Sequence, residues 1–312
     1  MDAPTTKRVK MKFARWIRLV LSLTMLHGVS IAADVAEQAP GFSPTEARHA
    51  NWAFSGVVTN ETGENYGYFF QMKRDGDQFH AIAALIDGQT KSLVLLEESD
   101  ATLHEATPYN WHVGRAFLRF NPINDSWVFG LQNHEKKGFN FKVDMLKQTE
   151  NIPITQDLRQ GVELLVSQTS HLNGHVQLGD GNKEQFVTAK NSWFRQVWLS
   201  QEQEKIFPFM GVLCRFNDGS GFYSVNMSES DALRGAVAGF RDGQGMSTMV
   251  SQFINVKQDD AQGPWHIRIA SPSLHLILSD FVQQNTVVAG FVHEDKTQGF
   301  CMVSKDEVGA VA

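Results

Sequence analysis

One strand–turn–strand pattern occurs twice in this chain. The first copy runs Phe54-Ser55-Gly56-Val57-Val58, a glycine-containing turn, then Tyr68-Phe69-Phe70. The second runs Leu172-Asn173-Gly174-His175-Val176, Asp180-Gly181, then Phe186-Val187. Each leads to an apolar run closed by Asp-Gly, from Ala83 to Gly88 and from Val212 to Gly219. So long a period implies two similar β domains rather than a solenoid. Units of this kind build barrels and sandwiches, and a pair of them offers an apolar interior or a cleft between. The copies differ in length: Phe54 to Asp87 spans 33 positions and Leu172 to Asp218 spans 46. The 13 extra positions centre on Trp193 to Lys205.

Composition suits that plan. A chain of 312 residues, 42% apolar, has room for two domains that each bury a core. Its 22 Phe and 7 Trp fit sheets and apolar cavities. Short strands with turns every 8–12 residues favour barrels, with no long amphipathic helix beyond the N-terminal segment. Strands are expected from Trp52 onward, including Tyr66–Met72, Phe79–Ile86, Arg115–Phe120, Ser126–Leu131 and Phe139–Met145. The polar stretch Lys147 to Gly161, which holds Pro153, is the expected domain boundary, giving barrels over 48–160 and 161–306.

The N-terminus has the character of an export signal. Six basic residues precede or enter the apolar run Leu19 to Leu26, and Ser30-Ile31-Ala32 fits a small-x-small cleavage site. Residues 1–32 therefore read as a signal peptide, with translation starting at Met1 or Met11. Residues 33–47 read as an exposed leader, and the mature protein as periplasmic or secreted. The segment carries six basic and one acidic side chain, so its removal takes the net charge from −6 to −11. That argues against nucleic acid or an anionic membrane surface as a partner. No run in the body of the chain is long enough for a membrane helix. Cys214 and Cys301 are open to either reading, a disulfide in an exported protein or two buried thiols.

Sites for chemistry are sparse. His171 and His175 are the only closely spaced histidines, and on a strand they stand about 13 Å apart, too far for one ion. No metal and no cofactor are implied. There is no Gly-x-Ser-x-Gly elbow. Asp87 and Asp218 precede glycines at strand ends and read as turn formers, though a carboxyl in an apolar pocket can serve as an acid. The aromatic cluster Trp193, Phe194, Trp198, Phe207 and Phe209, with Arg195 and Gln196 between the tryptophans, suits either core packing or an apolar ligand site with a few polar groups.

At these residues the chain resembles the AttH-like and hydroxyneurosporene synthase (CrtC, carotenoid 1,2-hydratase) group. Asn51-Trp52-Ala53-Phe54-Ser55-Gly56 is similar to its opening Glu-Trp-Trp-Tyr-Phe-x-Gly strand. Trp193-Phe194-Arg195-Gln196-Val197-Trp198 resembles its Trp-Phe/Leu-Asp-His-x-Trp hallmark, and Pro264-Trp265-His266-Ile267 its late Pro-Trp element. The resemblance runs from about residue 47 to 305 and implies an all-β fold of two lipocalin-like antiparallel barrels packed together, with a pseudo-repeat. The departures bear on function. Where the group carries Asp-His, the natural pair for protonating an alkene and adding water, this chain has Arg195 and Gln196. Arginine stays charged and glutamine cannot titrate. The opening Glu is replaced by Ala50 or Asn51, and the third-strand His falls near Ile82, with His80 two positions away. The expectation is thus an exported protein binding an apolar, isoprenoid- or lipid-like molecule. Its ligand would meet Trp52, Phe54, Trp193, Phe194, Arg195, Gln196, Trp198, Phe207 and Phe209, with Arg195 on a polar head. A hydratase-type enzyme with an acid relocated to Asp218, His171 or Tyr223 is the first alternative, and a non-catalytic interaction module the second.

Overall fold

Alternating burial organises the chain from its first strand. A computed structural model describes residues 45–309 apart from 105–106, 146–155, 160, 170, 180, 182, 202–203, 230–231, 245–246, 250–253, 262, 271–272 and 295–296. The expected signal peptide and most of the expected leader lie outside the described residues. Of the leader's last residues Glu46 is exposed, but Thr45 and Ala47 are buried and Ala47 joins the core.

All regular structure among the described residues is β. The first sheet holds β1 (His49–Asn60), β2 (Asn65–Asp75), β3 (Gln78–Asp87), β4 (Leu93–Thr102), β5 (Asn110–Val113), β6 (Ala116–Asn121), β7 (Ser126–Gln132), β8 (Lys137–Asp144), β9 (Gln156–Arg159), β10 (Val162–Thr169), β11 (His171–Leu178), β12 (Gln185–Ala189) and β13 (Ser192–Leu199). The second holds β14 (Phe207–Phe216), β15 (Gly221–Glu229), β16 (Ala232–Arg241), β17 (Ser247–Met249), β18 (Ile254–Gln258), β19 (Trp265–Ile269), β20 (Leu274–Gln284), β21 (Val287–Glu294) and β22 (Thr297–Val308).

The first sheet runs β4-β3-β2-β1-β12-β11-β8-β7-β6-β5, and its two end strands come into contact, so it curls into a nearly closed barrel. β1 carries two partners along one edge, β12 at Thr59–Asn60 and β13 from Ala50 to Ser55. Strands β13, β10 and β9 thereby branch away from the barrel wall. The second sheet, β17-β16-β15-β14-β22-β21-β20-β19-β18, is a half-barrel.

The boundary expected at 147–161 does not divide the sheets. Strands β9 to β13 all pair within the first one, and the change of sheet falls between Leu199 and Phe207. A polar stretch with a proline marks a connection, and strand pairing decides which sheet follows it. The repeated motif is distributed in the same way. Its first copy is the β1–β2–β3 meander, whereas its second divides between β11 and β12 in the first sheet and β14 in the second. The 13 extra positions are where β13 forms.

Cys214 on β14 and Cys301 on β22 sit directly opposite one another, with Cα atoms 4.1 Å apart, and form a disulfide.

Candidate functional site

The site expected around Trp193 to Trp198 is a strand, and strand geometry divides it. Successive side chains on β13 point to opposite faces. Phe194 and Trp198 face the barrel interior of the first sheet, and Trp193, Arg195 and Val197 face the layer between the sheets. Gln196 is buried, and its position between Phe194 and Trp198 puts it on the interior face.

The interior is filled by aromatic rings. Phe54 on β1 stacks on Phe129 with centroids 4.1 Å apart and meets Phe194 at 4.9 Å. Trp52 lies 4.7 Å from Trp111, and Phe139 stacks on Phe141 at 4.7 Å. Tyr68, Phe70 and Trp127 complete the cluster. Trp52, Phe54, Phe194 and Trp198 thus belong to the core cluster of the barrel.

The layer between the sheets is different in kind. Trp193 donates its indole N–H to the Cys214 carbonyl at 2.7 Å and meets the Tyr223 ring edge-on at 5.5 Å. Phe207 and Phe209 pack with Val162, Leu164, Val197 and Val225. Among these apolar groups lies a polar network. Arg195, only 1% exposed, donates from Nη1 to Ser304 Oγ at 3.0 Å. Its Nη2 donates to Asn51 Oδ1 at 3.0 Å and to Asp306 Oδ2 at 3.3 Å. Gln71 Nε2 donates to the same Asp306 oxygen at 2.7 Å and to Asn51 Oδ1 at 3.2 Å. The guanidinium carbon sits 5.2 Å from the Phe209 ring centre. Burial pushes the guanidinium down from its ordinary value, and Asp306 opposes that shift. Gly211 on β14 makes room for this arrangement, since a Cβ there would collide with the Arg195 guanidinium.

Arg195 is therefore held by an internal carboxylate. The open group is Asp306. Its Oδ1 receives no hydrogen bond from a described residue, and it lines a cleft of about 610 Å3 between the sheets. Phe209, Met210 and Pro208 give the cleft an apolar wall from β14. His80, Glu98 and Lys73 come from the first sheet, Lys305 and Glu307 from the second. His80 is bracketed by carboxylates, with Nδ1 2.8 Å from Asp100 Oδ1 and Nε2 3.3 Å from Glu98 Oε1. Glu98 also accepts hydrogen bonds from Gln284, at 2.7 Å, and Asn285 of the second sheet, which tie the two walls together.

The other expected acids fall elsewhere. Asp218 is a turn former: its Oδ1 accepts the Ser220 N–H at 2.9 Å and hydroxyl at 2.6 Å. His171 opens β11 opposite Asp144, separated from β1 by β12. Tyr223 lies in the layer beside Trp193, and burial raises its hydroxyl above the ordinary value. The residues that assemble at the cleft, His80, Glu98 and Asp306, lie on β3, β4 and β22. Only His80 carried a sequence signal, as a neighbour of the position where the resembled group has its histidine.

These features define an all-β protein of a nearly closed barrel and a half-barrel, with a cleft between their sheets. Solved structures share that fold. One is a protein assigned as AttH from Nitrosomonas europaea, with a TM-score of 0.59, 12% identity, and coverage of 83% of this chain and 93% of that one. Another is kievitone hydratase from Nectria haematococca, with a TM-score of 0.58, 10% identity, and coverage of 86% and 90%. No protein-family profile and no curated protein matches the sequence.

Proposed function

We propose that this chain binds a largely apolar small molecule in the cleft between the sheets, with the free Oδ1 of Asp306 accepting a hydrogen bond from the ligand's hydroxyl or amine. The observation that carries this reading is the cleft's composition. Phe209, Met210 and Pro208 provide apolar surface, and one carboxylate, fixed from behind by Arg195 and Gln71, provides a directional anchor. The exposed lining of the cleft is mostly apolar, and polar groups set in such a surface orient a mostly apolar ligand. An isoprenoid or lipid-like alcohol fits that description. The Cys214–Cys301 disulfide supports export, because such bonds persist in oxidising compartments.

Mass spectrometry of small molecules extracted from protein purified from its native host tests the reading. An apolar hydroxylated compound should accompany the wild type and be absent from His80→Trp, which adds bulk to the cleft from β3. An equal yield from both would refute it.

One observation favours a second reading, an acid–base enzyme of the hydratase type. His80, held between Glu98 and Asp100 and sharing the cleft with Asp306, is placed to move a proton. That reading requires turnover of an isoprenoid alkene that His80→Asn abolishes while ligand binding persists. Binding without turnover leaves the first reading standing alone.

A further inference from the structure

A second cleft between the sheets, also about 610 Å3, is built from other residues and has the opposite electrical character. Lys91, Lys190, Arg215 and His293 line it, and no Asp or Glu does. In a chain of net charge −6 such a lining is a local reversal.

The cations are positioned rather than scattered. Asp87 Oδ1 accepts the N–H groups of Gln89 and Thr90 at 2.8 and 2.7 Å, closing the turn that carries Lys91. Lys91 adopts φ 59°, a left-handed backbone that non-glycine residues seldom take. Its ammonium stands 3.7 Å from the centre of the Phe291 ring, across on the second sheet, and donates to the Gly88 carbonyl. Arg215, from the second sheet, reaches the first: its Nε donates to the Lys190 carbonyl at 3.1 Å and its Nη1 to the Phe216 carbonyl at 3.1 Å. Its remaining guanidinium hydrogens meet no acceptor among the described residues, and neither Arg215 nor Lys91 has a carboxylate at ion-pair distance there. Burial pushes both groups down from their ordinary values, with Asp280, Asp87 and Asp218 opposing from farther away.

We propose that this cleft is a separate binding site for the oxyanion, carboxylate or phosphate, of a small molecule. A partly desolvated cation without a paired carboxylate gains from an incoming anion. A guanidinium with free N–H groups takes an oxyanion through two parallel hydrogen bonds. Lys91 adds charge from the opposite wall, the side-chain amides of Asn217 and Gln298 add donors, and Val57 and Phe291 offer apolar surface to the ligand's carbon body. The site shares no lining residue with the Asp306 cleft.

Isothermal titration of the full chain at low ionic strength, with inorganic phosphate and separately with hexanoate, tests the proposal. Saturable binding of at least one anion is expected, weakening as sodium chloride is added. Lys91→Gln and Arg215→Gln should each lower the affinity at least tenfold, while Lys257→Gln on β18, which removes the same charge elsewhere, should not. Lys91 lies on a surface turn, so its variant tests the site even where Arg215→Gln fails to fold. Two results would overturn the proposal: no saturable binding of either anion by the wild type, or equal affinity in Lys91→Gln and Lys257→Gln.

Discussion

The barrel interior of the first sheet and the layer between the two sheets are built from the same strands, yet they hold opposite kinds of structure. On β1, Trp52 and Phe54 turn into the barrel while Asn51 and Ala53 turn to the layer. On β13, Phe194 and Trp198 turn inward while Trp193 and Arg195 turn to the layer. The interior is held by ring contacts. The layer contains a charged network, and beside that network the sheets part to leave a cleft. The proposed site lies where a buried polar network borders a gap between the two sheets.

This contrast is sharpest in the response to truncation. Removing Asp306 leaves the Arg195 guanidinium buried without its carboxylate, and Asp306→Ala should cost about 3–5 kcal/mol in chemical denaturation. The double replacement Arg195→Leu/Asp306→Leu should recover most of that loss, because two apolar groups leave no charge uncompensated. In the interior, Phe54→Ala should cost a similar 3–5 kcal/mol, but Phe54→Leu much less, since there the loss follows the volume removed. If the Arg195/Asp306 double variant proved as unstable as the single one, the layer would be held by packing, as the interior is.

Gly211→Ala probes the network from behind. The new methyl meets the Arg195 guanidinium, so a loss of about 1–3 kcal/mol is expected, and it should shrink when combined with Arg195→Leu. A smaller effect separates the regions by pH. Burial raises the hydroxyls of Tyr68, in the barrel, and Tyr223, in the layer, above the ordinary 10.0. A group with a raised folded pKa contributes stability that is complete below its unfolded value and is lost as pH rises through the folded one. Denaturation midpoints should thus fall above about pH 10. Tyr68→Phe should flatten that fall more than Tyr223→Phe does, because Tyr68 is the more deeply buried.

The sequence made the architecture legible where the signal was local. Period-two alternation and glycine turns marked β1 to β3, and the order of aromatic motifs pointed to two packed β units. Asp218-Gly219 was legible as a turn for the same reason. Pairing between distant segments was not. Nothing local says that β9 to β13 return to the first sheet or that β1 changes partner from β12 to β13. The site was hidden by the same limit. Trp193 to Trp198 was visible as an aromatic group with polar residues between, but its division between two faces follows once the segment is a strand. Asp306, Glu98 and His80 are far apart in the chain and meet only because β3, β4 and β22 converge on one cleft.

Binding of a neutral apolar probe tests the central claim, that the ligand lies between the sheets and not inside the barrel. Nile red fluorescence should report saturable binding to the wild type. Its affinity should fall at least tenfold in His80→Trp, which adds bulk to the cleft, and stay within twofold in Phe129→Leu, which opens space inside the barrel. Unchanged affinity in His80→Trp with altered affinity in Phe129→Leu would place the ligand in the barrel and contradict the account.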